Sequence, residues 1–152
     1  FFYFFFFLPT RRTLATIAEL CFAHQIAVVL GAIAIQLNSL KISKILKLVV
    51  PIIAIAQTCC WMGVSTQRQL WHGIEESIWM IIIQICGIFA LYLSLILNNE
   101  KNINNSPERL LTKYKLIGSF VLSILFTLFM FFVDVPMYID RYYADEKMGK
   151  VY

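Results

Sequence analysis

Seven ionisable side chains fall inside or against long apolar stretches of this sequence: Glu19, Arg68, His72, Glu75, Glu76, Asp134 and Arg141. Charged groups in lipid are expensive and mark functional sites by default. Together these residues could form a catalytic or ion-coordinating cluster. The competing reading is a salt-bridge knot that fixes helix register. Glu19 needs a partner or a proton in either case. Arg11, Arg12, Arg68, His72 and Arg141 are the candidate partners, and Arg68 is favoured because the connection between Ser65 and Ile74 is short enough to hang over a helix bundle.

A divalent metal is the sharper form of the same idea. His72, Glu75 and Glu76 stand at i, i+3 and i+4, so one helix face could offer a nitrogen and two carboxylates. Against it, the H-x-x-E spacing occurs once, whereas di-iron bundles use E-x-x-H twice with two further Glu. Gly73 also weakens a helix at that point.

His24 falls about 16 Å along its helix at 1.5 Å per residue, near mid-membrane, with Gln25 beside it and Gln57 and Gln84 at comparable depths. These groups could form a proton path. Their azimuths diverge, which favours hydrogen-bond glue between helices. Bis-histidine haem within one chain is disfavoured, because His24 and His72 differ in depth by roughly 16 Å while both axial ligands must meet one iron. His24 alone, completed by a partner chain or by a chlorophyll magnesium, is the weak cofactor candidate. No resident cofactor is otherwise expected, and bound lipid is.

Cys59 and Cys60 are adjacent, and no C-x-x-C spacing exists, so the cysteines read as small apolar residues. G-x-S-x-G, G-x-x-x-x-G-K, H-E-x-x-H and histidine-rich boxes are likewise missing from the sequence. Trp61, Trp71 and Trp79 read as an aromatic belt.

The elements that must position these groups follow from composition. The sequence is 60% hydrophobic and 14% charged, against about 45–50% and about 25% in a soluble domain, and its mean hydropathy is +0.74. That excludes an ordinary soluble globule, a disordered chain and a nucleic-acid-binding module. The predicted fold is all-α: a polytopic membrane protein with an antiparallel bundle of four transmembrane helices. Apolar stretches predict spans at about 13–37, 45–64, 74–97 and 114–133, within a bundle covering 10–134. Residues 1–9 read as the end of a truncated span or an interfacial anchor. The Tyr-rich segment 135–152 reads as an interfacial tail. Thr10 reads as the N-cap of the first helix, and Ser106-Pro107-Glu108 as the start of the fourth. Pro51 is expected to kink the second.

Lys41, Lys44, Lys47, Lys101, Arg109, Lys113 and Lys115 gather on one side. The positive-inside rule then places the 38–44 and 98–113 loops on the cytoplasmic, matrix or stromal face. An inner mitochondrial, plastid or bacterial inner membrane is favoured. Glu19, Glu75, Glu76 and Asp134 all fall toward the opposite side, an acidic mouth.

Small residues mark the faces that pack in lipid. They nominate Glu19, Ala23, Ala27 and Gly31 on helix one, Ala54, Thr58, Trp61 and Ser65 on helix two, Glu75, Glu76, Trp79, Ile83, Cys86, Gly87, Ala90 and Ser94 on helix three, and Ser119, Ser123 and Thr127 on helix four, with Asp134 on the same azimuth.

Three functions are compatible with this pattern. The first is an accessory or assembly subunit of a larger membrane complex, with other membrane subunits and the bilayer as partners and no nucleic acid. The second is a small membrane-embedded enzyme or ion or proton transporter working at the acidic pocket. The third is a haem- or pigment-holding subunit.

Overall fold

The computed structural model describes residues 2–99 and 107–149, with the backbone alone for 2–9. Every element among them is helical: α1 Phe2–Gln36, α2 Leu40–Leu46, α3 Val49–Thr66, α4 Gln69–Asn99, α5 Pro107–Phe129, a π-helical turn Met130–Asp134, and α6 Val135–Lys147. Four helical stretches are long and apolar enough to cross a membrane: Thr10–Gln36, Leu40–Thr66, Gln69–Asn99 and Pro107–Lys147. The expected cap at Ser106 and the cation Lys101 lie outside the described residues.

Thr10 is not a cap, because α1 starts well before it, at Phe2. The Phe-rich run continues the helix into Thr10, through Pro9. The first helix ends where Asn38 adopts a left-handed φ of 53°. There Ser39 N–H reaches the Ala34 carbonyl at 2.7 Å and Asn38 N–H the Ile35 carbonyl at 3.0 Å. This is a Schellman closure, and asparagine tolerates its left-handed position better than most residues.

Span two begins earlier than 45, because residues 40–44 of the expected 38–44 loop belong to the helix α2. Pro51 has no N–H for the Lys47 carbonyl, and the helix is interrupted at Lys47–Leu48, one turn before the proline, as its chemistry requires. Gln67, at a left-handed φ of 55°, ends α3 and leaves Arg68 in an exposed two-residue connection.

The fourth helix does not stop at Val133. Pro136 would deprive the Phe132 carbonyl of its partner and press on it. The wider turn Met130–Asp134 absorbs that defect, and the chain continues helically to Lys147. The segment 135–147 therefore lies against α4 as α6, where the Tyr138 side chain approaches Gly73.

α4 is the central helix, packed on α1, α3, α5 and α6. Its small residues set the distances. A Cβ added to Gly87 would sit 1.8 Å from Ser123 Oγ, so α4 and α5 approach as closely as glycine permits. Gln84 accepts a hydrogen bond from Thr127 at 2.9 Å along the same seam. At its far end Arg109 donates to the Leu97 carbonyl, and Lys113 to Asn98 Oδ1 at 2.7 Å. α1 buries Ala23, Leu30, Gly31 and Ala34, and α2 buries Ile42, Ser43 and Leu46.

The inward faces expected for helices one and three are the buried ones, with Ala23, Glu75, Trp79, Cys86, Gly87, Ala90 and Ser94 all enclosed. Helix four is partly so: Ser123 is buried and Thr127 half-buried, while Ser119 is exposed. Helix two is rotated. Ile53, Ala56, Gln57, Cys60 and Gly63 are buried, while Thr58 and Ser65 of the expected stripe are exposed. A one-residue shift of the stripe turns a helix by about 100°.

Candidate functional site: a buried polar network beside an apolar groove

Gln57 is the hub that this rotation creates. Its side chain is almost fully buried on α3, and its single amide nitrogen donates to Glu19 Oε2 at 2.5 Å and to Glu75 Oε1 at 3.1 Å. Its carbonyl oxygen accepts from Thr16 Oγ1 at 3.0 Å, so three of its four hydrogen-bonding positions are used. Trp79 Nε1 donates to Glu19 Oε2 at 3.2 Å, and Trp61 Nε1 to Thr16 Oγ1 at 3.3 Å.

Glu75 is enclosed, and Arg12 reaches it from α1 with Nη2 to Oε1 at 2.8 Å. Its second oxygen faces His72 Nδ1 at 3.5 Å, and the same nitrogen lies 3.5 Å from Cys60 Sγ. The His72 ring is held from two further directions. Tyr138 lies over it with ring centroids 5.6 Å apart, and Gly63 meets its other edge so closely that a Cβ there would fall 2.8 Å from Nε2. Arg12, Thr16, Glu19, Gln57, Cys60, Trp61, His72, Glu75 and Trp79 thus form one connected network across α1, α3 and α4.

Of the residues singled out from the sequence, Glu19, His72 and Glu75 meet in this network. Arg68 does not pair with Glu19: it is exposed, and the cation that enters is Arg12. The reason is facial. Arg12, Thr16 and Glu19 recur at i, i+4 and i+7 on α1, whereas Arg68 sits where the chain turns away. Glu76 and Asp134 are half-buried and interact electrostatically with each other outside the hydrogen-bonded network. Arg141 is exposed on α6 and acts on Tyr138.

The metal set read from the sequence, His72, Glu75 and Glu76, also changes. Cys60 joins His72 and Glu75, their donor atoms lying within 4.8 Å of one another, and Glu76 is not among them. His24 faces outward and has no hydrogen-bond partner among the described residues, so it glues no helices among them, while Gln25, also exposed, lines the groove described below. Gln57 and Gln84 do join helices by hydrogen bonds, as the glue reading expects, whereas Thr16 and Cys60 carry no signal in the sequence that sets them apart from other small residues of an apolar helix.

Beside the network runs a groove of about 850 Å³ between α1, α4 and α5. Its walls are Phe22, Ile26, Val29, Ile83, Leu122 and Phe126, and its polar end carries Glu19 and Glu76. Glu76 has no hydrogen bond or ion pair among the described residues. Among the described residues, no Lys or Arg lines the groove. An apolar cleft of this size with a few convergent polar groups has the make-up of a small-molecule site.

No known protein-family model matches the chain, and neither a curated protein nor a solved structure matches it.

Proposed function

We propose that this chain is an integral membrane protein whose four spans alternate in direction, and that it holds an amphipathic molecule in the groove of α1, α4 and α5. The ligand has an apolar body and a cationic or hydrogen-bond-donating head. One observation carries this reading: the groove is mainly apolar, with Gln25, Ser119 and Ser123 as further polar lining and Glu19 and Glu76 at one end, and no Lys or Arg lines it among the described residues. Negative ends select donors, and apolar walls select chains. From Glu19 to Leu30 the groove extends about 17 Å along α1 at 1.5 Å per residue, the scale of one leaflet of a hydrocarbon core about 30 Å thick. In this arrangement Lys41, Lys44, Lys47, Arg109, Lys113 and Lys115 mark the cytoplasmic, matrix or stromal face of an inner mitochondrial, plastid or bacterial inner membrane.

The test is native mass spectrometry of the chain released from mild detergent. The expected result is one amphiphile bound per chain, lost in Ile83→Trp, which fills the groove, and changed in headgroup class in Glu76→Gln. A chain that carries no amphiphile, or carries it equally in Ile83→Trp, overturns the reading.

A second reading is an accessory subunit of a larger membrane complex, favoured by the closure of Glu19 and Glu75 within one network, which leaves them to hold helices together. The groove then receives a helix of a neighbouring subunit. A native gel separates the two readings: comigration with defined partners, lost in Ile83→Trp, supports the subunit, and a free chain with bound amphiphile supports the first.

A further inference from the structure

Cys60, His72 and Glu75 bring their donor atoms together around His72 Nδ1. The His72 Nδ1 to Glu75 Oε2 separation is 3.5 Å, and Nδ1 to Cys60 Sγ is also 3.5 Å. An N–H···O hydrogen bond is normally 2.7–3.2 Å, so the first of these is long for a bond to a carboxylate with only 3% of its side chain exposed. It is the right length for something else. Donors held about 2.0–2.3 Å from a tetrahedral Zn²⁺ stand about 3.3–3.6 Å apart along the edges of the polyhedron.

We propose that Cys60 Sγ, His72 Nδ1 and Glu75 Oε2 form a three-ligand site for a divalent transition metal, zinc above others, with the fourth position open. Three features of the surroundings support it. The nitrogen is assigned, because the Nε2 edge of the ring is closed off by Gly63, leaving Nδ1 facing the other two donors. The carboxylate is oriented from behind, because Arg12 and Gln57 both donate to Oε1 and leave Oε2 turned to the histidine. Ligating carboxylates are commonly anchored in this way, and the anchors matter nearly as much as the ligands. The donor set is also selective: a thiolate with an imidazole suits zinc and disfavours magnesium or calcium, which take oxygen ligands.

The arrangement is bound to the fold. His72 and Glu75 are one turn apart on α4, and Cys60 comes from α3 through the same rotation that buries Gln57. Binding releases the thiol proton to solvent, since the ligand is the thiolate. Tyr138 covers the ring from α6, so the continuation of the fourth helix beyond its π turn closes the site from above. The site is independent of the groove ligand: none of Cys60, His72 and Glu75 lines the groove.

The experiment uses the tag-free full chain in mild detergent, stripped with EDTA and titrated with Co²⁺ and with Zn²⁺. The expected result is one metal per chain, with the near-ultraviolet thiolate-to-cobalt charge-transfer band and the visible bands of tetrahedral Co²⁺, both abolished by Zn²⁺. Cys60→Ser removes the charge-transfer band, and Cys59→Ser keeps it. Arg12→Lys keeps the band and weakens binding about 10–100-fold, as second-layer changes do. Absence of the band in the wild-type chain, or its persistence in Cys60→Ser, overturns the proposal, and the wild-type measurement does not depend on any variant folding.

Discussion

Arg12 and Glu75, 63 residues apart in sequence, meet at 2.8 Å, and this pair ties α1 to α4. Glu75 is almost fully enclosed, with 3% of its side chain exposed, while Arg12 retains 25%. Removing one partner of a buried pair leaves a charge stranded, which costs about 3–5 kcal/mol. Arg12→Met is expected to destabilise the chain in detergent by about that amount, and Arg12→Met with Glu75→Leu to recover much of it. Reversible unfolding monitored through tryptophan fluorescence measures both. Equal destabilisation by the single and double variants would show that the pair is not what holds these helices.

Glu19 and Asp134 are both acids of the same side, yet their surroundings differ. Glu19 accepts from Gln57 and Trp79, whereas Asp134 makes no hydrogen bond among the described residues. Glu19→Ala orphans two donors and should cost about 1–3 kcal/mol for each left unsatisfied. Asp134→Asn is expected to stay within about 0.5 kcal/mol of wild type. The comparison is read from denaturation midpoints measured side by side.

Gly87 faces Ser123 with no space for a side chain: a Cβ would lie 1.8 Å from Oγ and 2.6 Å from Ser123 Cβ. A rotamer change relieves the first contact and not the second. Gly87→Ala is therefore expected to separate α4 from α5 and destabilise by about 1–3 kcal/mol or more. Gly87→Ala with Ser123→Gly should restore most of the loss. A disulfide cross-linking assay between cysteines introduced on the two helices follows the separation directly.

Gly63 has the same relation to a different group. A Cβ there would press on His72 Nε2 at 2.8 Å, and the ring is held between Tyr138 and Glu75. Gly63→Ala should tilt the imidazole and weaken Co²⁺ binding about 10–100-fold while leaving the helices intact. Circular dichroism and cobalt titration on the same sample separate these effects.

His24 is exposed and without a partner among the described residues. His24→Leu is expected to leave the stability of the isolated chain within about 0.5 kcal/mol. A larger loss on the isolated chain would mean that His24 faces a neighbouring helix.

Much of this architecture is legible from residue order, because an apolar stretch of about 20 residues that satisfies its own backbone does so as a helix. The helical stretches of span length, the small-residue faces of helices one and three, and the crowding of Glu19, Glu75 and Glu76 toward one end follow from local hydropathy and a 100° step. The break at Lys47–Leu48 follows from Pro51. What the sequence alone could not decide is rotation. A helix that is apolar all round has no preferred face when core and lipid are equally apolar, so nothing local sends Gln57 and Cys60 inward and Thr58 outward. Only the assembled helices choose, through the buried hydrogen bonds that Gln57 alone can make to Glu19 and Glu75 together. That same packing decides that Arg12 meets Glu75 in place of Arg68, and that Cys60 joins His72: both are contacts between helices, whose geometry no single helix contains.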